Sequence, residues 1–331
     1  MFLEGLARQL LLGLHIPDGF LSVPVALAWW GLAAICLAVA VRRVGGVSEL
    51  QIPLMGVMAA FIFAAQMLNF PVLGGTSGHL LGGALAALLL GPWAGMLVMT
   101  CVVALQALLF QDGGIVVLGA NIFNMGIATA AVGYWLGMPL IRALGGRPMG
   151  LAVAGVVTAW LSVMVAAALT SLQLVLSGLP AGVVFPAMLF VHTFIGIGEG
   201  LITVAALAFV AGTRPDLVAT LVPYLPQGQA GAKAPRGALA AVTAVGLAFA
   251  LGAALLSPLA SGDPDGLERV AEDQGFIGRA QEPPFNILPD YTIPGLDGPL
   301  STILAGAIGL LIVFALVYGL TLLARGARRG A

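Results

Sequence analysis

Eight apolar runs nearly free of charge dominate this chain, at roughly 23–41, 52–69, 92–110, 115–138, 149–177, 185–211, 237–258 and 300–324. A helix of about 20 apolar residues matches the hydrocarbon thickness of a bilayer, so each run reads as a membrane span. A ninth, shorter and glycine-rich run at 79–91 is expected to cross tilted or packed among its neighbours. The composition agrees: 60% of residues are hydrophobic and 8% charged, where a soluble domain carries about 25% charged residues. The 46 glycines suit close helix packing in lipid. The expected fold class is an all-α integral membrane protein, a bundle of about nine transmembrane helices with one external loop domain.

Basic residues orient the bundle. Arg42 and Arg43 follow the first span, and Arg142 and Arg147 the fifth. Arg214, Lys233 and Arg236 follow the seventh, and Arg325, Arg328 and Arg329 the ninth. Nine spans with the amino terminus outside put all of these in the cytoplasm, together with the carboxyl terminus. Dropping the short span would put the later groups on the wrong face. The expected location is a bacterial-type inner (cell) membrane.

Several chemistries are excluded or weak. Lys233 is the only lysine, and no phosphate-binding Gly-x-x-x-x-Gly-Lys-Ser/Thr loop is present, so the chain hydrolyses no nucleotide itself. Cys36 and Cys101 both lie in apolar runs and read as small packed residues. Trp29, Trp30 and Trp93 read as interface anchors or packing.

The histidines are more informative. There are three. His15 lies in Leu14-His15-Ile16-Pro17-Asp18-Gly19-Phe20, and His79 follows Gly74-Gly75-Thr76-Ser77-Gly78. The expected topology places both segments on the outer face, beside the 111–114 turn and the start of the seventh span. Imidazoles there are suited to nickel, cobalt, copper or zinc. Each also has a plain structural reading. His15 could cap the Pro17-Asp18-Gly19 turn, in which Asp18 reads as a turn-former rather than a metal ligand. His79 could start a helix, with Thr76 or Ser77 as its N-cap. His192 and Glu199 share one face of the seventh span. They could support a ligand histidine by hydrogen bonding or simply fix helix packing, and Asn121 and Asn124 carry the same two readings.

Residues 212–236 read as a cytoplasmic linker. A second module at 237–325 follows, with an external segment at about 262–298. Asp263, Asp265, Glu268, Glu272, Asp273, Glu282, Asp290 and Asp297 stand there against Arg269 and Arg279. That acidity is a solvated loop or an antechamber that concentrates cations.

Leu14-His15-Ile16-Pro17-Asp18-Gly19 resembles the amino-terminal signature of the CbiM/NikM substrate-binding subunits of energy-coupling factor (ECF) transporters for cobalt and nickel. Gly74–Gly83, Phe110–Gly114 and Gly119–Gly126 resemble the family's later motifs. Asp263-Pro264-Asp265-Gly266-Leu267-Glu268 resembles the PDGLE domain of a NikN-type accessory subunit, fused here to a CbiM/NikM-like module at 14–211. The resemblance implies an ECF S-component-like bundle that captures Ni(II) or Co(II) as transported substrate and is no enzyme. It implies a CbiQ/NikQ-like membrane coupling subunit and CbiO/NikO-like ATPase subunits as partners, with no nucleic acid. It further implies metal ligands at the amine of residue 14, the backbone nitrogen and ring of His15, and the ring of His79. Four planar nitrogens suit Ni(II).

Residues 1–13 precede Leu14, whose nitrogen is then an amide and no primary amine. A true start at position 14, removal of the extension, or an altered ligand set built on the two imidazoles would each reconcile this. The first is the expectation adopted. Two rivals remain: an S component for an organic vitamin, which needs a larger aromatic and polar pocket, and an intramembrane metalloenzyme, for which Glu199 is the available base.

Overall fold

The structure is a computed structural model and describes residues 15–44, 51–218, 220, 221, 223 and 236–329. The expected extension at 1–13, Leu14 and linker residues 224–235 lie outside the described residues.

The helices in chain order are α1 (Val23–Arg43), α2 (Gln51–Gln66), α3 (Gly83–Leu90), α4 (Pro92–Leu105), α5 (Leu118–Asn121), α6 (Thr129–Ala143), α7 (Pro148–Leu176), α8 (Ala181–Thr213), α9 (Arg236–Leu256), α10 (Gly266–Asp273) and α11 (Pro299–Arg329). A small antiparallel hairpin, β1 (Phe70–Val72) with β2 (Thr76–Gly78), pairs Pro71 with Ser77. Wider π-helical turns at Gln106–Phe110 and Ile122–Ala128 extend α4 and join α5 to α6.

Among the described residues six helical stretches are long and apolar enough to cross a membrane, which makes this a multi-pass membrane protein. The nine-helix expectation is not reproduced helix for helix. The 52–69 run shortens to α2, and 115–138 becomes α5, a π turn and α6. The 79–91 run is extended to Gly82 and then forms only the eight residues of α3. At 1.5 Å per residue such a helix spans about 12 Å, too little to cross alone. Gly82 and Gly91, at φ 83° and 84°, bracket α3 with left-handed turns that a side chain would strain. Pro92 then starts α4, where a missing N–H costs nothing.

The core centres on α2, α3 and α4, which are buried on nearly every face. α7 and α8 pack against each other, and α7 also meets α6. Both long helices of the second half, α9 and α11, pack on α2. Glycine permits the approach: a Cβ on Gly309 would lie 2.2 Å from Phe63, and one on Gly246 2.2 Å from Val57. The second half is thus seated directly on the first.

Candidate metal site

His15 is buried just ahead of α1, in a segment clamped by the 112–121 stretch. The Asn121 side chain grips Ile16 at both ends of its backbone, accepting from N–H (3.1 Å) and donating to the carbonyl (3.0 Å). Gly114 N–H also donates to the Ile16 carbonyl. Asp18 accepts from the N–H groups of Ile115 and Val117. Its carboxylate therefore anchors the loop before α5, as the turn reading of Pro17-Asp18-Gly19 has it, and Asp18 is not among the residues lining the cavity described below. His15 Nδ1 sits 3.0 Å from both the backbone carbonyl and Oδ1 of Asp112. Its Nε2 is buried without a hydrogen-bond partner among the described residues.

His79 lies in the short segment between β2 and α3. Its Nδ1 is 3.1 Å from the Leu80 carbonyl. The next two N–H groups, of Leu81 and Gly82, donate to Oε2 and Oε1 of Glu199 on α8, at 2.6 and 2.9 Å. The Leu81 carbonyl accepts from Gln66, which in turn accepts from Gln106. Glu199 thus supports His79 through the backbone that follows it. Thr76 and Ser77 cap no helix, which corrects the expectation: they belong to β2, and α3 starts four residues after His79. Ser77 N–H and hydroxyl bond the carbonyls of Pro264 and Asp263 in the second half, each at 2.8 Å.

The rings of His15 and His79 meet edge to face, with centroids 5.8 Å apart. They border a cavity of about 70 Å³ whose lining includes Asn121, Asn124, Thr170, His192 and Asp265. That is room for an ion and a water or so, since water's share of liquid volume is about 30 Å³. With metal–nitrogen bonds of about 2.0–2.1 Å, an ion lies about 3.2 Å from each ring centroid. Two rings can then share one ion at separations up to about 6.4 Å, so 5.8 Å fits. Among the described residues no three His, Cys, Asp or Glu side chains gather closely enough to hold an ion. His192 donates Nδ1 to the Met188 carbonyl of its own helix. Asn124 exchanges amide bonds with Gln173 and donates to Thr170, tying the π turn to α7.

The family description for the cobalt uptake substrate-specific transmembrane region, CbiM, matches residues 15–217, and that for the PDGLE domain matches 239–326. The chain belongs to the CbiM family. It is 37% identical over 318 residues to an Archaeoglobus fulgidus protein provisionally named fused nickel transport protein NikMN, covering 95% of this chain and all of that one. It is 31% identical to the fused nickel transport protein NikMN of Rhodobacter capsulatus (71% of this chain, 72% of that one). It is 33% identical to the cobalt transport protein CbiM of Geobacter sulfurreducens (67% and 65%). A crystal structure described as a transition metal transporter superposes with a TM-score of 0.54 at 32% identity, over 63% of this chain and 97% of that one. The protein is accordingly a membrane component of nickel or cobalt uptake and no enzyme.

Two residues beside this candidate site escaped the sequence reading. Asp112, inside the Phe110–Gly114 motif, bonds the His15 ring through its backbone carbonyl, and Tyr291 donates to its carboxylate Oδ2 at 2.6 Å. Position 112 carried a signal, an acid in a glycine turn on the expected outer face. Tyr291 carried none, because nothing in its surroundings resembles a site until the chain is folded.

Proposed function

We propose that this chain is the substrate-capture subunit of an ECF-type transporter and takes up Ni(II) or Co(II) through His15 and His79. One observation carries the reading: two buried imidazoles share a cavity of ionic size, and one of them has a nitrogen without a partner. A buried, unsatisfied donor or acceptor costs about 1–3 kcal/mol, so an ion taken up by that nitrogen would relieve the cost. Residues 14–211 form the capturing module and 237–325 the accessory one, a division supported by the two family matches. The amino terminus lies outside, the carboxyl terminus in the cytoplasm, and the site opens outward. A membrane coupling subunit and a cytoplasmic ATPase pair supply the energy.

The vitamin rival fits poorly, because small-molecule pockets run to about 300–1,000 Å³ and the cavity between the histidines is near 70 Å³. A groove of about 730 Å³ does exist between α2, α3, α8 and α9, but its lining is almost wholly aliphatic and aromatic. The metalloenzyme rival loses its base, since Glu199 is taken by two backbone N–H groups.

Titration calorimetry with Ni(II), Co(II) and Zn(II) on purified protein tests the reading. His79→Ala is expected to weaken Ni(II) binding at least 100-fold with the fold retained. Binding and uptake that survive this change would overturn the site. Leu14 as a ligand requires a free amine there, and amino-terminal sequencing of the metal-loaded protein checks it.

A further inference from the structure

We propose that Asp265, in the second half of the chain, supplies negative charge to the metal cavity: its free oxygen faces the captured ion across a water and sets the affinity of the site. The inference deepens the reading of His15 and His79 as the capturing pair and rests on it.

Imidazoles bind metal as neutral rings and bring no charge to a divalent ion, and a charge buried without compensation is costly. Two carboxylates act by their charge on the His15 ring, Asp112 and Asp265. Asp112 belongs to the first half, and the Tyr291 hydroxyl donates to its Oδ2. Asp265 is 4% exposed and lines the cavity that His15, His79 and His192 border. It is the one acid in that lining among the described residues.

The fold holds this side chain from several sides. Ser77, two residues before His79, donates its N–H and hydroxyl to the carbonyls of Pro264 and Asp263. Gly266 lies close against α8, where a Cβ would stand 2.9 Å from the His192 ring. Oδ1 of Asp265 accepts from the N–H groups of Leu267 and Glu268, at 2.7 and 2.8 Å. Oδ2 takes no hydrogen bond among the described residues. Capping therefore fixes the carboxylate and leaves one oxygen over in the wall of the cavity.

No three His, Cys, Asp or Glu side chains among the described residues gather closely enough to hold an ion, so Asp265 stands off it rather than joining the nitrogen donors. The cavity of about 70 Å³ has room for the water between them. A water on the ion donates to Oδ2, and Coulomb attraction reaches across the gap.

Ni(II) titration calorimetry on the full-length protein tests this with substitutions in which capping and charge run in opposite senses. Asp265→Asn keeps a favoured N-cap and drops the charge, whereas Asp265→Glu keeps the charge on a side chain outside the favoured N-cap set. Asp265→Asn is expected to raise the Ni(II) Kd about tenfold, the lower end of losses from outer-shell partners, with the metal-free melting temperature unchanged. Asp265→Glu is expected to bind more tightly than Asp265→Asn. An Asn variant with wild-type affinity, or with higher affinity than the Glu variant, would overturn the proposal, because capping alone predicts that order. Asp265→Ser, a second uncharged cap, gives the same reading should the Asn variant fail to fold: wild-type affinity there also overturns it. His79→Ala run alongside separates the two readings. Loss of binding there, with wild-type affinity in Asp265→Asn, refutes only the role of Asp265; binding that survives His79→Ala refutes the capturing pair.

Discussion

Glu199 is a carboxyl inside a membrane-spanning helix, and its two oxygens each take a backbone N–H of the segment that carries His79. Glu199→Ala would leave both N–H groups buried and unsatisfied, at about 1–3 kcal/mol each. We expect a lower melting temperature in detergent and at least a tenfold loss of Ni(II) affinity, with Glu199→Gln intermediate because it can still accept one bond. The His15–Asp112 pair makes a second residue-scale prediction. Burial by itself would lower the His15 pKa, but the Asp112 carboxylate outweighs it and the ring titrates above its ordinary 6.5. Burial likewise opposes the Asp112 charge, and His15 overcomes it, so that carboxyl titrates below its usual 3.8. On the histidine side the pair stabilises the metal-free protein fully below the unfolded His pKa, and this is lost as pH rises through the raised one. On the acid side it is lost as pH falls through the depressed Asp112 value. Metal needs the neutral ring, so protons compete from a higher pH than for an ordinary histidine. Ni(II) affinity should begin to fall on acidification already above pH 6.5, and Asp112→Asn should move that onset down; titrations across pH 5–8 check both.

At the scale of elements, the PDGLE motif is a helix start whose letters each have a physical task. Asp265 caps α10 by accepting from the N–H groups of Leu267 and Glu268, and Glu268 reaches back to the Asp265 N–H, a complete capping box. Leu267 is buried beside Phe20 and Val270. Gly266 lets α10 approach α8, since a Cβ there would lie 2.8 Å from Ile195 and 2.9 Å from the His192 ring. Two of the eight acids of the external segment are therefore occupied in capping. Gly266→Ala must push α10 off α8 at the wall of the cavity. An overpacking cost of about 1–3 kcal/mol is expected, read as a lower melting temperature together with weaker Ni(II) binding by calorimetry. A purely local effect would lower stability and leave affinity intact.

Over the whole molecule, the cavity is assembled from α1's leading segment, the segment before α3, α5 and the π turn after it, α7, α8 and α10. An ion bridging them binds the folded state alone and stabilises it by RT ln(1 + [L]/Kd), about 2.7 kcal/mol at 100 Kd. Ni(II) should raise the unfolding temperature of the wild type and leave that of His79→Ala unmoved in the same scan.

Membrane residence, helical class and the family's motifs were legible in the sequence, and the two histidines it singled out lie side by side in the fold. Each rests on local composition or spacing: apolar runs dictate spans, and an imidazole in a glycine turn is conspicuous among uncharged residues. The tertiary structure alone decided which of the remaining polar groups serve the site. Glu199 reaches His79 through backbone, Ser77 holds the PDGLE turn, and Asp18 anchors a loop before α5. Asp112 and Tyr291, 179 positions apart, share one hydrogen bond. Such pairings depend on which helices pack together, and in a chain whose spans are apolar on nearly every face no periodicity says which face meets which neighbour. The break of the third pass into an extended segment and a short helix was hidden for the same reason: its apolar residues suit either conformation, and the packing around His79 chose.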